Sequence, residues 1–444
     1  MCAIKIDLPL LKDINSRGNI KLTLVHFDVK CLSFASVLAE AHFKPTIFDI
    51  KRSFSYPPPD HTLLKSYSLY QRFLQGIKEG KIKVEHKKDC LKNNELYFIF
   101  TPIQIDSKGD VDYRDFERSC KFVADSLEED SMIAISTRTF PGTTEDLANN
   151  ILEDRSGLKA NEDFGLAYIY LPSDMRTPVI GAANEKTLNF FLSFFQIITG
   201  YKPSVTRSIK TVEALSFIED LYKNVRLAFS NDLAEICRKI GVNFNEIIQL
   251  ITSREVCCPP PEMPKESLID VTTFFVKELQ NHGWKAPVIT SSLKVNSSLS
   301  KHILSLIRSG LKECNKSLRR SEVLILRSHS DLLFHSIVKS HVKDVFEMLR
   351  TKRVKVQLFD IHSLKAESKS KVKRRLYKSL KGKDCLIIME NCKDILDLNS
   401  LIKDIKHLLN QPALIVDLTN QLDPLEVEKE GLRYVSLGWS CRSE

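Results

Sequence analysis

Short apolar runs recur along this chain with helical stretches between them, and that alternation constrains the fold more than any other feature. KLTLVHF (21–27), PTIFDI (45–50), LYFIF (96–100) and MIAIS (132–136) are strand-length segments in the first half. VLILR (323–327), VKVQLFD (354–360), CLIIME (385–390) and ALIVDL (413–418) form a second set near the end. Strands of this length separated by helical patterns imply parallel, doubly wound sheets buried on both faces. Between the two sets, residues 211–240 carry apolar side chains three and four apart and read as one long helix stopped by Gly241. The fold class expected is therefore α/β, with two Rossmann-like doubly wound domains joined by a helical centre. The boundaries expected are an N-terminal extension over 1–19, a dinucleotide-binding type of domain over 20–205, a central helical domain over 206–318, and a second Rossmann-like domain over 319–444.

Composition narrows the function classes. The 444 residues include only 15 glycines, about half the usual share, which argues against an abundance of Gly-built phosphate cradles. Eleven cysteines are scattered without a CxxC pair, so neither a zinc ribbon nor a thioredoxin-type site is suggested, and the thiols read as reduced. The histidines form no zincin-type pair; His335 and His341 are six residues apart, on different faces of any helix. No metal is expected. The start MCAIKIDLPLLKD lacks a basic stretch followed by an apolar one, and the longest apolar run, 188–200, is too short to span a bilayer. A cytoplasmic protein without membrane association is the expectation.

The net charge of +9 is concentrated. Residues 365–383 hold nine basic side chains against one acid, Glu367, and so supply +8. Such a run reads either as a solvated helix face or as a patch for a polyanion, nucleic acid included. Lys371, Lys373, Arg374 and Arg375 are its candidate contacts. Tyr377 is the one aromatic residue there, so base stacking is not supported.

The order and spacing of four segments resemble one family. SKGDVDYRDFERS (107–119), FPGTTED (140–146), LYKNVRLAFSNDLAEICRKIGV (221–242) and PALIVDLTNQLDP (412–424) are similar to the UDP-glucose/GDP-mannose dehydrogenases, nearest the UDP-N-acetylmannosamine branch. The resemblance implies an NAD-dependent, four-electron oxidation of a sugar C6 alcohol to a carboxylate. It further implies a glycine-rich pyrophosphate loop, a thiohemiacetal-forming cysteine, and a Lys, Asn and Thr that handle oxyanion and water.

Position by position, those parts are replaced. The three fingerprint glycines after the first strand fall on His26, Asp28 and Cys31; Asp28 would set a carboxylate against the pyrophosphate. Asp49 remains where the family's ribose-binding acid stands. Counting back from Gly283, the nucleophilic cysteine falls on Ser267 and its histidine neighbour on Glu266; Cys257 and Cys258 lie upstream. Serine needs an adjacent base to become nucleophilic. The catalytic Lys and Asn of the long helix fall on Ser216 and Asp220, and the Ser-Thr pair before the PG turn on Thr137-Arg138, or on Ser136-Thr137 with a one-residue shift. Glu262 and Glu266 on the Pro-rich loop could form a carboxylate pair, yet nothing nearby in the sequence reads as an acid or base to work with it.

The reading is a catalytically inactive nucleotide-sugar dehydrogenase homologue with a structural, regulatory or interaction role and no cofactor. Leu215, Ile218, Tyr222, Val225 and Phe229 of the long helix would pair it with itself or with an active relative, since this helix forms the family's dimer interface. One alternative is a diverged but active NAD-dependent UDP-sugar dehydrogenase. The other is a polyanion- or nucleic-acid-binding module.

Overall fold

Parallel strands covered on both faces bury every side chain along their length, and the central strands of both sheets do so. The structure is a computed structural model that describes residues 8–51, 68–105, 110–172, 177–252, 258–264, 266–328, 341–361, 364, 368–392 and 396–440. The chain divides into two units, Met1–Glu219 with Gln280–His282, and Asp220–Leu279 with Gly283–Glu444. The central helices thus fall largely with the second unit.

In the first unit, α1 (Leu8–Lys12) precedes β1 (Leu22–Val25), α2 (Val29–Glu40), β2 (Thr46–Phe48), α3 (Ser68–Lys78), β3 (Lys83–Glu85) and β4 (Leu96–Ile99). A small antiparallel pair follows, β5 (Gln104–Ile105) and β6 (Val111–Asp112). Then come α4 (Arg114–Ala124), β7 (Met132–Ile135), α5 (Asn149–Ser156), β8 (Gly165–Tyr170), β9 (Val179–Gly181), α6 (Glu185–Thr199) and β10 (Ser204–Thr206). Among the described residues the main sheet runs β10-β9-β8-β7-β4-β1-β2-β3. It is parallel except where β8 meets β9.

Every residue of β1, β4 and β7 is buried. One face packs on Phe190, Phe191, Phe194 and Phe195 of α6, with Phe98 of β4 5.8 Å from the Phe194 ring and 4.8 Å from Phe34. Burying a phenylalanine of this kind stabilises by about 1.5–3 kcal/mol. Strand β3 (KVE) has no apolar run to betray it; it exists because its backbone extends the sheet beside β2.

α7 (Ile209–Lys239) is the long helix anticipated from the sequence. The second unit adds α8 (Phe244–Thr252), α9 (Glu266–Asn281) and α10 (Pro287–Glu313). Its sheet follows: β11 (Glu322–Arg327), α11 (His341–Thr351), β12 (Lys355–Asp360), α12 (Lys369–Leu380), β13 (Cys385–Ile388), α13 (Ile402–Leu408), β14 (Leu414–Asp417), α14 (Pro424–Lys429), β15 (Arg433–Ser436) and β16 (Trp439–Ser440). Strand order is β12-β11-β13-β14-β15-β16, parallel except for the last pair. Both sheets place their crossovers as doubly wound folds do.

Candidate functional site

In a doubly wound sheet, ligands meet the carboxyl ends of the strands where the winding reverses. In the first unit that point lies beside β1, which has β2 on one side and β4 on the other. The residue that follows β1 is His26, with φ +98°, a backbone conformation that glycine adopts readily and other residues rarely. The turn thus has a backbone suited to glycine, with a histidine in it. The imidazole is buried, and burial together with the Lys51 cation lowers its pKa to about 4, against the opposing pull of Asp115. Lys51 and Asp115 are themselves paired at 2.7 Å.

Asp28 caps α2. Its carboxylate accepts the Cys31 N–H at 2.7 Å, with an extended backbone at the cap position. Repulsion of a bound phosphate was the expected consequence of this residue. The geometry goes further: the chain's own carboxylate takes a helix-start N–H that a pyrophosphate would use. Burial raises the Asp28 pKa, opposed by the Cys31 hydrogen bond and by Lys30. The Cys31 thiol is fully buried and its pKa is pushed well up by that burial and by Asp28, so it is no nucleophile.

Asp49, just past β2, is buried. His86 reaches toward it, with Nδ1 3.2 Å from the Asp49 carbonyl and 3.8 Å from Oδ2. Across the crevice Lys30 donates to the Ser136 carbonyl at 3.4 Å, and the Thr137 hydroxyl donates to the Thr101 carbonyl at 2.9 Å. A dinucleotide held in the family's manner needs open N–H groups and no side chains at the turn. The residues present do not fit it.

Beside this crevice is a site that sequence reasoning missed. The FPGTTED turn wraps a buried carboxylate, Glu213, near the start of α7. Glu213 accepts the N–H of Gly142 at 2.6 Å, the N–H of Thr144 at 2.9 Å and the Thr139 hydroxyl at 2.9 Å. Gly142 has φ +105°, and a Cβ there would sit 2.9 Å from the Asp146 carboxylate, so the glycine is required. Burial raises the Glu213 pKa against the pull of these three donors. An acid inside the apolar stretch VEALSF was the available signal.

One turn further, Ser216 is buried. Its hydroxyl donates to the Glu213 carbonyl at 2.7 Å and accepts from the Tyr168 hydroxyl at 3.3 Å. Burial raises the Tyr168 pKa. Tyr168 and Ser216 thus form a buried pair of hydroxyls, with no cation at Ser216, the position to which the resemblance assigns one. Arg138 is half-buried, and its charge opposes that rise at Tyr168. Asp220 is half-buried one turn beyond Ser216.

In the second unit the Pro-rich loop is clamped by α7. Ser230 donates to the Pro259 carbonyl at 2.5 Å, and the Asn231 side chain exchanges two hydrogen bonds of 3.1 Å with the Glu262 backbone. Asn420 donates to the Pro261 carbonyl at 3.3 Å. Cys258 packs in an apolar cluster with Ala234, Cys237 and Phe244. Ser267 lies in the first turn of α9; Cys257 lies outside the described residues, as does His335. The Glu262 side chain is exposed, and Glu266 opens α9. At the strand ends of this unit, Arg327 pairs with Asp360 at 3.1 Å, and Glu390 accepts the Ser328 N–H at 2.7 Å.

Of the basic candidates, Lys371, Arg374 and Arg375 are exposed on α12. Lys373 turns aside to Asp404 at 3.1 Å, its ammonium 5.1 Å from the Tyr377 ring. Lys365 and Glu367 lie outside the described residues. Among the described residues no three His, Cys, Asp or Glu side chains are grouped to hold a metal, and no helix is long and apolar enough to cross a membrane.

No family model matches the chain. Individual proteins do. Protein CapL of Staphylococcus aureus is 23 % identical over 363 residues, covering 77 % of this chain and 86 % of that protein. The UDP-N-acetyl-D-mannosamine dehydrogenase of Methanocaldococcus jannaschii is 22 % identical over 378 residues, covering 82 % and 83 %. Among solved structures, the UDP-D-ManNAc dehydrogenase of Pyrococcus horikoshii superposes with a TM-score of 0.77 at 19 % identity, over 94 % of this chain and 99 % of that one. A UDP-glucose dehydrogenase of Pyrobaculum islandicum gives 0.76 at 15 %, over 95 % and 99 %. Sequence similarity and two-sheet architecture agree in what they resemble: the chain is similar to the nucleotide-sugar dehydrogenases in sequence and shares their fold.

Proposed function

We propose that this chain is a nucleotide-sugar dehydrogenase homologue that no longer oxidises a sugar, and that it serves as a structural or regulatory subunit. The observation that carries the reading is the Asp28 carboxylate on the Cys31 N–H at the start of α2. A cofactor bound in the usual way would have to displace that cap and bring two phosphates beside the acid. The buried Ser216–Tyr168 pair supports the same reading from the sugar side, since it offers no cation to a developing oxyanion.

What such a subunit keeps is a surface for pairing. Tyr222, Phe229, Ile236 and Ile240 are 59 %, 60 %, 48 % and 67 % exposed, and spacings of seven, seven and four set them on one stripe of α7 and the residue after it. A second copy of this chain or an active relative would cover that stripe, as in the dehydrogenase family.

Calorimetry with NAD and with a UDP-sugar tests the first part. No heat is expected from either, and no NADH from the two together. Micromolar NAD binding with turnover would overturn the inactive reading and return the chain to catalysis. Sedimentation tests the second part: the expected species is a dimer, and a monomeric wild-type protein would overturn self-pairing.

A further inference from the structure

The chain's positive charge is gathered in one segment. Residues 365–383 supply +8 of the net +9, leaving +1 for everything else. Within that segment α12 buries Val372, Leu376 and Leu380 in the core of the second sheet. At 100° per residue, Lys371, Arg374, Arg375 and Lys378 fall within about 100° of arc on the far side; all four are exposed. Lys373 lies off this stripe and pairs with Asp404. The first turn of α12 contains no acid and holds Lys369 and Lys371, so the positive end of the helix dipole adds to the side-chain charge instead of being offset.

Two further features fix the kind of partner. No large apolar side chain is exposed on α12 or α13 among the described residues; protein–protein interfaces centre on such anchors, whereas interfaces with nucleic acid are more polar and more positive. Tyr377, the one ring on α12, is turned to Asp404 through its hydroxyl and lies under Lys373, so it offers no platform for an unstacked base. The apolar side of α12 lies in the core, which rules out insertion into a lipid surface.

We infer that the exposed face of α12 binds the phosphate backbone of double-stranded nucleic acid, independently of sequence. Lys371, Arg374, Arg375 and Lys378 are the contacts. Lys378 takes the place that the sequence alone had given to Lys373.

The test is fluorescence anisotropy of the full-length protein with a mixed-sequence DNA duplex of about 20 bp. Four phosphate contacts give a slope of log K against log salt near −3.6, so raising salt from about 50 to about 200 mM should weaken binding roughly 100-fold. The joint change of Lys371, Arg374, Arg375 and Lys378 to Ala should abolish binding while leaving circular dichroism and melting unchanged. Lys373→Ala should leave affinity within about threefold. An RNA duplex binding comparably would support the inference, because only phosphates are read. Absence of duplex binding would overturn it. So would retained affinity in the quadruple variant, tighter binding of single strands, or displacement of the duplex by polyglutamate as effective as by unlabelled duplex.

Discussion

His26, in the turn after β1, carries a measurable signature of its burial. Its imidazole is only 8 % exposed, and its pKa is lowered from 6.5 to about 4. The unfolded chain therefore binds a proton between pH 6.5 and pH 4 that the folded protein does not. Stability rises with pH across that window, is fully present above pH 6.5, and is lost as pH falls toward 4. Between pH 8 and pH 4.5 the loss attributable to this one residue is about 2.5 kcal/mol. His26→Gly removes the titrating group and also relieves the left-handed strain of φ +98°, a relief of order 1–3 kcal/mol set against the lost burial of the ring. The diagnostic quantity is thus the change in pH slope between wild type and variant, not the stability at one pH. Two other histidines with lowered pKa, the half-buried His302 and the buried His341, contribute equally to both proteins and cancel. Urea unfolding of the first-unit transition at pH 8, 6, 5 and 4.5 gives the slope, and the His26 imidazole resonance gives its pKa directly. Parallel pH curves for the two proteins, or an imidazole titrating near 6.5, would refute the burial argument.

Glu213→Ala leaves two backbone N–H groups and the Thr139 hydroxyl without their acceptor; a loss of roughly 3 kcal/mol is expected in denaturant melts, with Glu213→Gln recovering part of it. Ser216→Lys introduces the residue type that the family resemblance implies for this position but places an ammonium against the buried Tyr168 hydroxyl. It should destabilise the protein by several kcal/mol without producing activity, and an unchanged melting temperature would mean that the space is still open. Tyr222→Asp with Phe229→Asp puts two charges on the exposed stripe of α7 and should abolish the proposed self-pairing in sedimentation with circular dichroism unchanged.

The sheets were legible because LYFI, MIAI, LTLV and their counterparts are buried at every position, and such strands leave unbroken apolar runs in a sequence. Edge strands were not: KVE of β3 and SVT of β10 are largely exposed and owe their conformation to a neighbour's backbone. At the site, the replaced glycines were readable one by one. Their consequences were not. That Asp28 caps α2 is a local event three residues long, yet its position after a left-handed His26 had to be seen in three dimensions. The Tyr168–Ser216 pair joins residues 48 apart, and the Glu213 cradle joins residues about 70 apart. Lys373 likewise looked equal to its neighbours until Asp404, on α13, claimed it.

The most direct test of the central claim is NAD calorimetry on wild type beside the triple variant His26→Gly, Asp28→Gly, Cys31→Gly. The account predicts no heat with wild type at millimolar NAD, because the protein's own carboxylate holds the helix start, and detectable binding once the three side chains are removed. Micromolar affinity in the wild-type protein would contradict it.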